Sequence, residues 1–325
     1  MPLTDPGFQV EIHRKTSGAY FRKVQSAARA EYHGIRGAAL LPHLSFDPDR
    51  FYLSPAGLDH FQTGPLDRPS VYLGGHAAGK EMDVGLTWNR VYDAEGRTTY
   101  TDQPDRTDGR DPGRRFVRSR AEGTAVLLDG TSGVVAHGQD EVDQAMERLH
   151  PNFAFRPFWR TTNEGGNQWH QPRRGTPENV SFYPGETVTM GVQVVGPNHV
   201  RMEIRWEGGL EPIHFTQTFR QDGFGLGQPQ SFKRVNSIDQ FWVDAEGKRK
   251  GREGVDVLPT RTVATEGGWE EVYLLGADPE KRTPVIGPDY REIRGGDLAP
   301  RYDAIFHRTG WNEAGRELID ITPTA

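Results

Sequence analysis

Two neighbouring stretches decide the fold: ETVTMGVQVV at Glu186–Val195 and VRMEIRWE at Val200–Glu207. Apolar residues occupy every second position over most of both stretches, so one side of each is apolar and the other is polar or small. Side chains alternate between the two faces of a β-strand, and this period of two therefore predicts two half-buried strands. The residues between them include Gly196, Pro197 and Asn198, a composition typical of a turn.

The same alternation recurs along the chain and predicts an all-β protein. It is clear in Glu81–Trp88, and shorter stretches of strand character follow at 38–44, 70–73, 124–128, 215–219, 232–238, 260–264, 270–275 and 304–308. Many short strands separated by glycine and proline turns are typical of a sandwich or a closed barrel. We predict an antiparallel β-sandwich of jelly-roll type, with residues 31–325 as a single domain and residues 1–30 as an N-terminal extension.

Helices and long loops are expected at few places. Acidic residues early and basic residues late predict a short helix at Gln139–His150, since this order suits the helix dipole. A second short helix is expected from Tyr20 to Glu31, around VQSAARAE. Long loops are predicted near 97–122 and 160–178, and such loops in a compact domain often bind ligands.

Composition excludes several classes of protein. The 325 residues include no cysteine, which excludes disulfide scaffolds, cysteine-ligated metals and a cysteine nucleophile. Only 34% of the residues are hydrophobic, and no long apolar run predicts a membrane span. The net charge of −6 gives no overall basic surface for nucleic acid. The 7 Trp, 10 Tyr and 16 Phe residues are sufficient to build a core.

The first candidate site lies in the stretch GGHAAGKEMDV, which contains His76, Glu81 and Asp83. The two acids are two residues apart on a predicted strand, so they share a face with Cα atoms about 6.6 Å apart. Two carboxylates facing one cleft can divide into an acid and a base, so Glu81 and Asp83 are candidate catalytic residues. The structural alternative is an acid pair neutralised by Lys80, Arg90 or an arginine of another strand.

A second candidate site combines aromatic and amide side chains. Sugar recognition needs flat aromatic faces for the C–H side of a pyranose and planar polar groups for its hydroxyls. Trp159 and Trp169 are candidate platforms, and Asn167 and His170 are candidate polar contacts. The alternative is that the neighbouring phenylalanines belong to the core and that Trp169 only anchors a loop.

A third candidate site is the polar strand FKRVNSIDQ, in which Arg234 and Asn236 share one face. Together with Arg201 and Arg205 these residues are predicted to line a binding groove. Two alternatives remain open: a buried hydrogen-bond network, and a solvent-facing sheet surface with cross-strand ion pairs.

Metal and cofactor binding have little support in the sequence. The histidines form no H-x-H or H-E-x-x-H pattern, and no transition-metal site is predicted. Asp102, Asp105, Asp108 and Asp111 recur every three residues and could donate oxygen ligands to calcium, although they lack EF-hand spacing. No other cofactor is expected.

The segment Tyr183–Met190, followed by His199–Ile204, resembles paired strands of the concanavalin A-like jelly rolls. That superfamily includes lectins, laminarinase-type glucanases and alginate-lyase-like enzymes, and the resemblance extends as strand rhythm over residues 30–310. Glu81 and Asp83 look like the first two acids of the E-x-D-x-x-E strand of the glucanases. The third acidic position is Leu86, so the residue that would be the family's proton donor is absent.

The sequence therefore predicts a carbohydrate-interacting protein that binds a glycan or polysaccharide in a groove on the concave sheet. One alternative is a polysaccharide-cleaving enzyme, either a uronan lyase or a glycoside hydrolase. Another is a surface or assembly module that binds protein through its long loops. A secreted or cell-surface location is expected. The sequence leaves open the enzymatic status, the glycan and the oligomeric state.

Overall fold

A computed structural model gives the arrangement of most of the chain. It describes residues 7–13, 18–52, 64–90, 116–121, 124–129, 133–137, 153–172, 180–208, 212–244, 249–251, 256–278, 281–296, 305–309 and 316–323. The helix predicted at Gln139–His150 and the four aspartates of the predicted calcium site lie outside these residues.

Strands dominate the part of the chain that the structure describes, with one 3-10 helix at Pro48–Arg50. The strands are β1 (Gln9–His13), β2 (Ala19–Ser26), β3 (Gly34–Leu40), β4 (His43–Ser45), β5 (Phe51–Tyr52), β6 (Gly64–Pro65), β7 (Asp67–Ala77), β8 (Lys80–Arg90), β9 (Phe116–Ala121), β10 (Thr124–Asp129), β11 (Gly133–His137), β12 (Phe153–Asn163), β13 (Gly166–His170), β14 (Thr187–Gly196), β15 (His199–Trp206), β16 (Ile213–Arg220), β17 (Gln230–Gln240), β18 (Trp242–Val243), β19 (Arg249–Lys250), β20 (Val263–Leu275), β21 (Arg282–Pro284), β22 (Tyr290–Gly295), β23 (Phe306–Thr309) and β24 (Glu317–Ile321).

Two large sheets form a sandwich. The eight-stranded sheet has the order β1-β22-β2-β17-β7-β8-β12-β13. The nine-stranded sheet has the order β16-β15-β14-β3-β20-β24-β23, with β4 and β21 also paired to β20. The neighbouring strands are antiparallel except β1 and β22, which are parallel. The predicted all-β sandwich is therefore confirmed.

The core lies between the two sheets and is built by the alternation that the sequence shows. The apolar faces of β14 and β15 are buried, as predicted, at Val188, Met190, Val192, Val194, Val200, Met202, Ile204 and Trp206. Burying a side chain of this size contributes about 1.5–3 kcal/mol, so this one pair of strands supplies a large share of the driving force.

Two sequence predictions are wrong. The helix expected from Tyr20 to Glu31 is instead strand β2, which pairs with β17 and β22 inside the eight-stranded sheet. The alanines at positions 27, 28 and 30 suggested a helix, but they follow β2, and within β2 the pairing on both sides outweighs local propensity. Strands β1 and β2 fall within residues 1–30, which are assigned above to an N-terminal extension, and both belong to the eight-stranded sheet. The loop expected at 160–178 is, over 160–170, the end of β12 and its hairpin partner β13.

An ion cluster is buried within the sandwich and joins the two sheets. Arg22 donates to Glu292 at 2.9 Å and to Glu317 at 2.6 Å. Arg234 donates to the same Glu317 at 2.6 Å. Glu317 lies on β24 of the nine-stranded sheet, whereas the two arginines lie on β2 and β17 of the eight-stranded sheet. All four side chains are buried, so each charge depends on its partners.

We predict that Glu317→Gln lowers the free energy of unfolding by about 3–5 kcal/mol, because it removes the charged carboxylate that two buried guanidinium groups share. Urea denaturation measures this loss. Glu270→Gln is the matched control, since Glu270 pairs with Arg316 at the surface of the same sheet and such a pair contributes about 1 kcal/mol or less. Equal losses in the two variants would contradict a bridging role for Glu317.

Candidate functional site

Strand β17 presents charged residues to both sides of the eight-stranded sheet. Arg234 points into the sandwich, so Lys233 points to the opposite side, which we call the outer face. Lys233 lies opposite Gly74 of β7, Gly74 opposite Asp83 of β8, and Asp83 opposite Arg160 of β12. Directly opposed residues of antiparallel strands share a face, so this row crosses the outer face of four strands.

The charged side chains of this row meet in one cluster, which we call the charged cluster: Glu81, Asp83, Arg160 and Lys233. The Lys233 ammonium contacts the Glu81 carboxylate and lies 2.6 Å from Asp83 Oδ1. Arg160 Nη2 lies 2.6 Å from Glu81 Oε2 and 2.6 Å from Asp83 Oδ2. Each acid therefore has two cationic partners, one from each neighbouring side of the sheet.

Gly74 makes this arrangement sterically feasible. A Cβ at this position would lie 2.8 Å from Lys233 Cε and 2.9 Å from Asp83 Oδ1, and only 2.3 Å from the Met82 carbonyl oxygen. Any other residue would therefore occupy the path by which the Lys233 side chain crosses β7 to reach Asp83.

Burial and charge shift the pKa values of several groups around the cluster. Burial raises the pKa of Glu81, but Lys233 and Arg160 outweigh this effect and hold it at about 2. Burial, reinforced by the Lys233 charge, lowers the pKa of His76 to about 4. Burial and Lys233 likewise lower the pKa of Lys23 on β2 to about 8. At neutral pH the site thus holds an ionised Glu81 and a neutral His76.

The acid pair does not have the character of a glycosidase pair. Such enzymes need one carboxyl group whose pKa is raised so that it can protonate the leaving oxygen. The pKa of Glu81 is shifted in the opposite direction, and Asp83 is bound by the same two cations. Arg160 of β12 and Lys233 of β17 pair with both acids, which is the arrangement that the structural alternative describes.

An aromatic platform lies beside the charged cluster. The Trp169 indole is 51% exposed and stacks on Phe158 with centroids 4.3 Å apart and planes within 5°. Phe158 is itself buried against Tyr72 and Val235 on the outer face. Trp169 lies opposite Arg160 in the β12–β13 hairpin, so the apolar platform adjoins the charged cluster directly.

The other residues of the aromatic segment are divided between the two faces. Asn167 is exposed next to Trp169 and accepts a hydrogen bond from Thr162. Trp159 points inward, packs against the core and stacks on His170 at 5.5 Å. Asn167 therefore shares the outer face with Trp169, whereas Trp159 and His170 do not.

The predicted groove of the third candidate site does not form. Arg234 and Asn236 point into the sandwich, where Asn236 accepts a 2.7 Å hydrogen bond from the Trp269 indole. Arg201 and Arg205 lie on the outward side of the nine-stranded sheet. The buried-network alternative therefore describes Arg234 and Asn236. Of the candidate residues, His76, Glu81, Asp83, Asn167 and Trp169 are brought to one face.

Sequence reasoning did not single out Lys233, Lys23, Phe158 or Arg160 as site residues. Lys233 and Arg234 are adjacent and both basic, so the alternation of β17 alone does not reveal which one points outward. The sequence places Phe158 only among the phenylalanines that could belong to the core, whereas in the structure its ring stacks against the Trp169 indole. The sequence feature that could have indicated these residues is the pair of acids on β8. Two acids on one strand face need cations, and here neighbouring strands supply them.

No group of three or more His, Cys, Asp or Glu side chains among the described residues is placed to hold a metal ion. Within the same part of the chain, no helix is long and apolar enough to cross a membrane.

Comparisons with known proteins find weak structural likeness only. No protein-family model and no curated protein matches the chain. Scytalido-glutamic peptidase with a transition state analog inhibitor aligns over 95% of this chain and 99% of its own, with TM-score 0.44 and 7% identity. A second structure, with a peptide-based analog, covers the same shares at TM-score 0.38 and 8% identity. SCP-B, an eqolisin-family peptidase in complex with the tripeptide Ala-Ile-His, also aligns over 95% of this chain and 99% of its own. Its TM-score is 0.34 and its sequence identity is 6%.

We predict that His76 titrates with a pKa of about 4 and that Lys233→Met raises this value by about one unit, because the variant removes a nearby positive charge. NMR titration of the imidazole measures both values. Since the folded pKa lies below the ordinary 6.5, the neutral ring stabilises the fold above pH 6.5, and this contribution is lost as the pH falls toward 4.

The control is Lys80→Met, which removes a lysine of the same hairpin that does not contribute to the His76 shift. Its His76 should titrate as in the unaltered protein. An unchanged or lower pKa in Lys233→Met would show that Lys233 does not act on the imidazole.

Proposed function

We propose that this protein binds a glycan or polysaccharide on the outer face of the eight-stranded sheet. The observation that carries the proposal is the half-exposed Trp169 indole, held flat by Phe158 beside the charged cluster. An aromatic ring that stays half-exposed while it stacks on a second ring offers a flat apolar face to the C–H side of a sugar. Binding sites of this type combine an apolar surface with a few fixed polar groups, and both are present here.

The charges around the platform suit a ligand rich in hydroxyl groups. The two carboxylates and two cations of the charged cluster balance one another. Arg160 is anchored to both acids, so its guanidinium is held in place next to the indole. The partly exposed Glu81 carboxylate can accept hydrogen bonds from hydroxyl groups, and the exposed Asn167 amide can both donate and accept.

We predict that Trp169→Ala weakens retention on the best polysaccharide by about tenfold or more, because the exposed stacking surface is lost. Affinity electrophoresis against plant, algal and bacterial polysaccharides measures this change. Val195→Ala is the control, since Val195 is also an exposed apolar residue but lies on β14 of the other sheet. A folded sample that no polysaccharide retains, or unaltered retention of Trp169→Ala, would refute the proposal.

A second candidate, cleavage of a uronan by elimination, is favoured by one observation. His76 is neutral at physiological pH, and its Nε2 atom lies 3.3 Å from Glu81 Oε1. Arg160 contacts the same Glu81 carboxylate, so the imidazole and the guanidinium both adjoin Glu81. A neutral imidazole can take the proton next to a uronate carboxylate, and a guanidinium can stabilise the charge that develops there.

This candidate predicts an ultraviolet-absorbing unsaturated product from at least one uronan and its loss in His76→Gln. His214→Gln, an exposed histidine on the other sheet, should retain the activity. A flat absorbance trace across uronans with the unaltered protein would exclude elimination and leave binding as the function.

Membership of the concanavalin A-like superfamily and a secreted or cell-surface location stay predictions from the sequence. The assembly-module alternative is distinguished by size-exclusion chromatography with light scattering: a monomer without protein partners favours the glycan-binding role.

A further inference from the structure

A recess lies on the outward side of the nine-stranded sheet, which is the other sheet from the one that carries the charged cluster. It has a volume of about 140 Å³, several times the ~30 Å³ that one water molecule takes up in the liquid. Strands β14, β3, β15, β20 and β21 contribute its lining. None of these strands carries a residue of the charged cluster, so the recess is a separate site.

A glycine forms the floor of this recess. Gly191 lies between Arg36 of β3 and Glu203 of β15 in one cross-strand row. A Cβ at Gly191 would lie 3.6 Å from Arg36 Cγ, an ordinary contact distance, so the Arg36 stem passes beside an empty position. Because glycine has no side chain, the sheet surface is lower at Gly191 than at the longer side chains around it, and this difference forms the recess.

Among the residues that the structure describes, three arginines and one acid line the recess. They are Arg36, Arg201, Arg282 and Glu203. Glu203 is already engaged, because it accepts 2.9 Å hydrogen bonds from Arg205 Nε and from His214. Burial raises the pKa of Glu203, but these hydrogen bonds and the charges of Arg205 and Arg36 outweigh burial and lower it, so Glu203 stays ionised.

The arginines keep donors available. Arg36, which is partly buried, makes no hydrogen bond or ion pair with the residues that the structure describes. Arg201 donates to Gln193 at 3.2 Å, and the Arg282 guanidinium lies 4.7 Å from the centroid of the Tyr273 ring. A guanidinium carries five N–H donors, so all three groups retain donors for a ligand.

We propose that this recess binds a tetrahedral oxyanion, a sulfate or phosphate group. The three guanidinium groups come from three different strands, β3, β15 and β21, and line the same recess. One arginine fork is enough for a planar carboxylate, whereas a tetrahedral dianion offers oxygens to several guanidinium groups at once. The three arginine charges of the described lining outnumber the one negative charge of Glu203. The recess is therefore net positive, which favours a dianion.

Isothermal titration with sodium sulfate, sodium phosphate and sodium acetate, at constant ionic strength set with chloride, tests the proposal. Sulfate or phosphate should bind measurably and acetate should bind at least about tenfold more weakly. Arg36→Gln should weaken binding of the preferred anion about tenfold or more. Arg220→Gln is the control, because Arg220 is an exposed arginine of β16 paired with Asp222 outside the recess.

Two further variants separate binding from folding. Glu203→Gln removes the one negative charge and should tighten anion binding several-fold, an effect that damage to the fold cannot produce. Gly191→Leu fills the floor and should abolish binding with little change in the thermal midpoint. The comparison of sulfate with phosphate identifies the preferred source of the group.

The proposal is overturned if neither dianion binds the unaltered protein, or if acetate binds as tightly as both. It is also overturned if Arg36→Gln and Gly191→Leu bind as the unaltered protein does, or if Arg220→Gln loses as much affinity as Arg36→Gln.

Discussion

The structure depends on one buried carboxylate, that of Glu317, which two guanidinium groups of the opposite sheet hold between them. A charge removed from water in this way is tolerated only when its partners are in place, so Arg22 and Arg234 must both point inward. Because side chains alternate along a strand, this requirement also turns Lys23 and Lys233 outward. The interaction that joins the sheets therefore also determines which cations reach the candidate site.

The two outward surfaces of the sandwich differ in chemistry because the cations of each surface lie beside a different number of acidic residues. On the eight-stranded sheet, Lys233 and Arg160 meet two acids, and the charges balance beside an aromatic platform. On the nine-stranded sheet, three arginines share a recess with one acid that is engaged elsewhere. A glycine is needed in both places: Gly74 leaves a path for a lysine, and Gly191 leaves a floor without a side chain.

Prediction from sequence succeeded where one face of a strand is apolar and the other polar. The stretch that forms β14 and β15 shows this contrast, and its strands and buried face are as expected. It failed at β2, whose inward positions include an arginine and which is followed by an alanine-rich stretch that suggested a helix. At the site, the acids Glu81 and Asp83 and the exposed Trp169 were identified, but the cations that hold the acids were not, because they come from strands distant in sequence.

The sequence by itself determined the all-β class, the alternation of each strong strand and the residue types from which a site could be built, since these depend on local periodicity and composition. Only the tertiary structure decided which polar side of β17 faces the other sheet and which acids meet which cations. The physical reason is that β17 is polar on both sides, so its orientation is set by the partners available across the sandwich: Glu317 inside for Arg234, and Glu81 with Asp83 outside for Lys233.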